Sequence, residues 1–213
     1  MINYNWKSEL KTRLKNLPGE KAHLDMIPYR LLSSSFKKNR EIAKQSAVMC
    51  LFFEDKNKLF GLLMERTIDG GKHSGQISFP GGKKDKTDID IEYTALRETF
   101  EEIGISKDLI EVYGNLTEVY IPVSNFLVEP FLGVVNFNPL TIDLKLSKNE
   151  VKTVFSFSVD ELMNPNNRKL QTIPNHDGVK LKNIPCFVLN GRIVWGATAI
   201  ILNEIKQIFK SIL

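Results

Sequence analysis

The chain has 213 residues, enough for one large domain with a full core, and its 42% hydrophobic and 25% charged residues are ordinary for a folded globular protein. A formal net charge of +4 suits an anionic small molecule but is mild, and no basic stripe interleaved with aromatics points to nucleic acid as a partner. The longest strong apolar run, 47–53, is far too short for a membrane span, and the N-terminal stretch lacks an apolar signal core, so neither a membrane anchor nor a secretory leader is expected.

Trp6, Leu10 and Leu14, spaced among lysines, predict an amphipathic helix over 4–16, followed by a polar approach at 37–44. Runs 46–53 and 59–66 read as strands of a hairpin around the polar turn 54–58. A glycine-bearing loop, 68–74, leads to a short strand at 76–79. Further strands are expected at 112–120 and 127–135, joined by a loop with Pro122 and Asn125, and at 151–157. Ser158 caps a short helix at 159–163, and 170–173 pairs with 185–189 as a hairpin. Ile201, Ile205, Ile208 and Ile212 predict a helix over 197–213. No repeat or linker divides the chain, so a single mixed α/β domain is expected over 1–213.

Between the second and third strand groups lies the chemistry. Glu98, Glu101 and Glu102 are spaced i, i+3, i+4, which places three carboxylates on one helix face. Like charges that close destabilise a helix, and a hard divalent cation bound to substrate phosphates would reverse the sign. Ile89, Tyr93, Leu96, Phe100 and Ile103 form an apolar stripe that predicts the buried side, leaving the glutamates outward. Asp88 and Asp90 are N-cap candidates, and Gly104 is a natural stop. Upstream, Phe79-Pro80-Gly81-Gly82 suits a tight loop entering the helix. A merely solvated acidic face is the plainer alternative; the coincidence with the glycine pair and Arg97 weighs against it.

This stretch resembles the Nudix box of the Nudix hydrolases, written G-x5-E-x7-R-E-U-x-E-E-x-G-U with U apolar. Gly82, Arg97, Glu98, Glu101, Glu102, Gly104 and Ile105 match. Thr99 replaces an apolar residue, and fourteen residues separate Gly82 from Arg97, one more than the pattern has. Asp88 is the nearest acid to the missing loop glutamate, which is mainly structural in the family. A second pattern, L-L-T-x-R-S/A-x3-R-x3-G-x3-F-P-G-G, is shared by the members that cleave coenzyme A. Leu62, Leu63, Arg66, Gly75, Phe79, Pro80, Gly81 and Gly82 fall at its spacing, while Met64, Thr67 and Gly71 depart from it, with Lys72 beside the lost arginine. Segments 165–168 and 193–199 are similar to the same subfamily's C-terminal portions, so the resemblance covers about 45–205.

The resemblance implies an α/β/α sandwich around a mixed sheet, with N- and C-terminal helices added. It implies hydrolysis of a diphosphate bond with Mg2+ or Mn2+, held by Glu98, Glu101 and Glu102, with coenzyme A or an acyl derivative as substrate; the alternatives are a Nudix hydrolase for ADP-ribose or a dinucleotide, and a non-catalytic binding module of the same fold. Glu101 and Glu98 are the catalytic candidates, and Arg97 orients them. Arg66, Lys72, His73, Gly75, Gly81 and Gly82 are the substrate-binding candidates, and Glu150 is held in reserve as a further ligand or base. A homodimer is the largest assembly expected. His176 reads as a turn residue and Trp195 as core packing. Cys50 and Cys186 sit in apolar company with no metal spacing, as buried thiols of a reducing compartment, the cytoplasm.

Overall fold

The computed structural model describes residues 5–27, 40–71, 73–174 and 178–213; Lys72 and the expected turn residue His176 lie outside them. The predicted hairpin is present and longer than expected. Strand β1 (Lys44–Asp55) and β2 (Lys58–Arg66) pair antiparallel and turn through Lys56 and Asn57, both at positive φ. Two central residues with φ above zero match the twist of flanking strands. β1 also pairs in parallel with β7 (Phe126–Val135), and near its start with the short β4 (Gly81–Lys83). β3 (Ile77–Ser78) and β8 (Val151–Ser158) pair with β2, while β5 (Glu111–Asn115) and β6 (Val119–Ile121) pair with β7. A second, antiparallel sheet holds β9 (Arg168–Pro174), β10 (Lys180–Leu189) and β11 (Arg192–Trp195).

The alternation of β1 divides the core. Met49, Leu51 and Phe53 join Leu62 and Met64 against Ala95 and Ile103 of helix α3 (Ile91–Ile103). Cys50 and Phe52 face the other way. There they meet Trp6 and Leu10 of α1 (Trp6–Arg13) and Ile205 and Phe209 of α5 (Gly196–Lys210). Phe52 and Phe209 meet edge to face, ring centroids 5.0 Å apart. The result is a mixed sheet between helical layers, the expected α/β/α arrangement. A short α2 (Glu20–Leu24) packs on α5, and α4 (Val159–Met163) begins at Ser158, whose Oγ accepts from the Glu161 N–H at 3.1 Å as expected. No helix among the described residues is long and apolar enough to cross a membrane.

Two expectations need correction. The strand at 112–120 is broken between β5 and β6, because Thr117 turns inward: its N–H and hydroxyl donate to Glu204 of α5 at 3.1 and 2.6 Å. Glu204 is fully buried and also accepts from the Gly19 N–H at 3.1 Å, with His23 Nε2 at 3.3 Å. Burial pushes its carboxyl up, but the bonds from His23 and Thr117 prevail and hold it below its ordinary value.

The second correction concerns α3, whose buried face is not the predicted stripe. Ile89 is 82% exposed and precedes the helix, and Phe100 is 57% exposed. Of the stripe, Ile103 is buried as expected and Leu96 packs against the core, but Thr94, Ala95, Thr99 and Glu102 are the other buried positions. The helix is turned by roughly 100°, one residue's worth, relative to the apolar periodicity. Small residues let it approach the sheet closely, and the Thr99 hydroxyl satisfies itself by donating to the Ala95 carbonyl at 2.6 Å. Glu102 therefore points inward, Glu98 is half-buried beside it, and Glu101 stays exposed. Phe100→Ala is expected to move the chemical denaturation midpoint by no more than about 0.5 kcal/mol equivalent, as for an ordinary surface change. Ile103→Ala, at a fully buried site, is expected to cost about 2–5 kcal/mol.

Candidate active site

The site is built outward from the start of α3. Asp90 is the N-cap, its carboxylate accepting from the Tyr93 N–H at 2.7 Å, and Gly104 ends the helix at φ 77°. Asp88, two residues earlier, does something else. Its two oxygens take a fork from Arg97, Nε at 2.8 Å and Nη2 at 2.9 Å. The Thr94 hydroxyl at 2.8 Å and the Asp85 N–H at 2.9 Å complete its shell. Bonding to Arg97 outweighs burial and holds the Asp88 carboxyl far below the usual carboxylate range, while Arg97 is raised in turn. The guanidinium also reaches the Lys83 carbonyl at 3.3 Å, and its Nη1 lies 2.9 Å from both Glu98 and Glu101. One arginine thus ties the loop before the helix, β4 and two of the acids.

Glu102 is buried and accepts from the Gly81 N–H at 2.8 Å and from Arg66 Nη1 at 3.3 Å. Burial pushes its carboxyl up to about 7 against the pull of those two donors, with the charges of Glu98 and Glu150 adding to the rise. Burial likewise raises Glu98, opposed by Arg97 and reinforced by Glu101 and Glu150. The glycines of β4 permit this crowding. A Cβ on Gly82 would stand 2.5 Å from the Glu98 carboxylate, and one on Gly81, at φ 152°, would overlap the Ala47 carbonyl. Glu101 is the exposed member of the trio.

A cavity of about 590 Å³ opens beside these groups. Arg66, His73, Gly81 and Gly82 line it. Gly75 does not: at φ 68° it turns the loop, its N–H donating to the Thr67 carbonyl at 3.1 Å. His73 Nδ1 lies 3.2 Å from Gln76 Oε1. Glu150 is exposed in the turn before β8, and its carbonyl accepts from the Thr67 N–H at 3.0 Å. Trp195, expected as core, is partly exposed in the cavity wall, because α5 begins at the next residue and stops short of covering it. Sequence reasoning had no signal for Ser78 and Ser124, which line the same cavity with buried hydroxyls.

The donor chemistry fits a hard divalent cation. Carboxylates crowded on one helix face, two of them with raised pKa, carry repulsion that such an ion would relieve. Among the described residues no group of three or more acidic, histidine or cysteine side chains is arranged to hold a metal ion. Mg2+ commonly takes only one or two carboxylates, with waters and substrate phosphates completing its shell.

The family description "NUDIX domain" matches residues 43–175. The chain belongs to the Nudix family. It is 33% identical to "Nudix hydrolase 3" of Caenorhabditis elegans, over 67% of this chain and 64% of that protein. To the "Mitochondrial coenzyme A diphosphatase NUDT8" of Homo sapiens it is 37% identical, over 65% of this chain and 57% of that one. The chain thus spans less than two thirds of either relative. Among solved structures, a Nudix hydrolase from M. Smegmatis, RenU, superposes with a TM-score of 0.54 at 11% identity, over 80% of this chain and 88% of that one, a likeness of fold.

Asp88→Asn is expected to destabilise the protein by roughly 3–5 kcal/mol at neutral pH, since it strips the fork from a largely buried arginine. Because the folded carboxyl lies below its unfolded value of about 3.9, that stabilisation is complete above this pH and is lost as pH falls below it. Denaturation curves of variant and wild type should therefore converge in acid.

Proposed function

We propose that this Nudix protein hydrolyses the diphosphate of coenzyme A or an acyl derivative, yielding 3′,5′-ADP and 4′-phosphopantetheine or its acyl form. The observation that carries the reading is the acidic face of α3, whose Glu102 is buried against β4 beside a cavity that Arg66 lines. The 37% identity to a protein named as a coenzyme A diphosphatase supports the substrate. The whole chain is taken to act as one catalytic domain with its core at about 45–205.

Glu98, Glu101 and Glu102 would hold Mg2+ or Mn2+. Such an ion, when bound, polarises diphosphate oxygens and lowers the pKa of water. The chain's own residues do the rest. Arg97, anchored by Asp88, fixes the rotamers of Glu98 and Glu101. One of these two carboxylates accepts the proton of the attacking water as its oxygen bonds to one phosphorus and the bridging P–O bond breaks. Glu101, the exposed member, is the more accessible to that water. Gly81 and Gly82, without side chains, leave the diphosphate room at the cavity wall. The two cysteines are buried free thiols, which suits a reducing compartment such as the cytoplasm, while the human relative's name places that protein in mitochondria.

Incubation with coenzyme A and Mg2+, with the products identified by mass, tests the reading; intact coenzyme A would overturn it. Glu102→Gln keeps the shape but removes the charge. Its turnover is expected to fall by more than the ~10–100-fold typical of losing an outer-shell partner, with the thermal transition retained. Arg66 is already engaged by Glu102. Arg66→Ala should therefore lower kcat/KM for coenzyme A and for its 3′-dephosphorylated form by similar factors. A loss confined to coenzyme A would instead make Arg66 the reader of the 3′-phosphate.

A further inference from the structure

The cavity wall combines charged and uncharged elements. Arg66, Asp69, His73 and Lys83 come from the end of β2, the loop after it and β4. Val123, Phe126, Leu181, Trp195 and Ile201, from the β6–β7 connection, β7, β10, β11 and α5, carry no charge. Among the hydroxyls in this wall, most are spoken for. Ser46 donates to the Leu127 carbonyl at 3.3 Å, and Thr198 to the Ile77 carbonyl at 3.0 Å. Ser74 Oγ accepts from the Asp69 and Gly70 N–H groups at 3.0 and 3.2 Å. Ser78 and Ser124 differ: their Oγ atoms are buried and have no hydrogen-bond partner among the described residues. Buried polar groups are nearly always bonded, so two orphans in one cavity wall call for an explanation.

We propose that Ser78 and Ser124 hydrogen-bond the amides of a neutral, aliphatic substrate arm lying along the uncharged wall. This rests on the coenzyme A reading, in which that arm is pantetheine. The chemistry separates it from the other half of the molecule. A ribose brings several hydroxyls and a phosphate brings charge; two serine hydroxyls, each a single neutral contact, are a poorer match to either. Amides spaced by methylenes need single polar contacts between apolar ones, which is what this wall offers. A serine hydroxyl is a rotor that serves as donor or acceptor, so a staggered χ1 step re-aims it at an amide N–H or C=O. The nucleotide half is left to the charged residues.

The test uses the full chain and pantetheine itself, which carries neither nucleotide nor phosphate, with binding read by ligand-detected NMR in the absence of metal. Coenzyme A turnover with Mg2+ is measured in parallel. Wild type should bind pantetheine, and Ser78→Ala and Ser124→Ala should each weaken binding about 2–10-fold, the worth of one neutral hydrogen bond. The KM for coenzyme A should rise by a similar factor. Neither substitution should lower the Tm, because each removes a hydroxyl that bonds to none of the described residues; a lowered Tm would show the serines to be structural and overturn the proposal. Failure of wild type to bind pantetheine, or binding that neither substitution alters, would also overturn it, even where coenzyme A is cleaved. Serine-dependent pantetheine binding with coenzyme A left intact would uphold the subsite and sink the catalytic reading.

Discussion

Arg97 and Asp88 form the contact on which the site depends. Asp88 stands in the loop that joins β4 to α3, and Arg97 lies nearly two turns along the helix. Their fork fixes the loop to the helix, and the same guanidinium then reaches a carbonyl of β4 and two glutamates. A lysine would supply the charge but not this geometry, because only a planar fork satisfies a carboxylate on one edge while presenting its remaining N–H groups elsewhere. The helix is thereby held with Glu102 facing the sheet, an orientation that hydrophobic burial alone would not select.

That orientation sets local chemistry against local stability. Glu102 is buried beside Glu98, and two donors, the Gly81 N–H and Arg66, only partly offset the desolvation. A sequence selected for folding alone would place Phe100 where Glu102 sits. The exposed phenylalanine and the buried glutamate are two aspects of one conflict, the kind that marks functional sites.

Much of the fold was legible because its signals are local. The Lys56-Asn57 turn, the Ser158 cap, the Asp90 cap and the α5 isoleucines each act within a few residues. The acid cluster was legible by spacing and by its resemblance to a family pattern. What was not legible depends on partners distant in sequence. The rotation of α3 is set by Arg97 and the glycines of β4, against the helix's own apolar stripe. The break between β5 and β6 is set by Glu204, 87 residues from Thr117. Trp195 read as core because its neighbours are apolar, yet it forms one side of a cavity whose other walls come from β1, β2, β3, β4, β6, β7, β10 and α5.

Glu204 carries a lesson about where this protein can be cut. Its carboxylate gathers Gly19 and His23 from the N-terminal segment and Thr117 from the middle of the chain. Of these, only Thr117 lies within the stretch 43–175 that defines the family. Trimmed to that stretch, the chain would keep every acid of the site. It would lose the glutamate that satisfies Thr117, and with α1 and α5 the cover over Cys50 and Phe52. Cut to the signature of the family, the polypeptide is therefore expected to fold less stably than one that keeps both flanks.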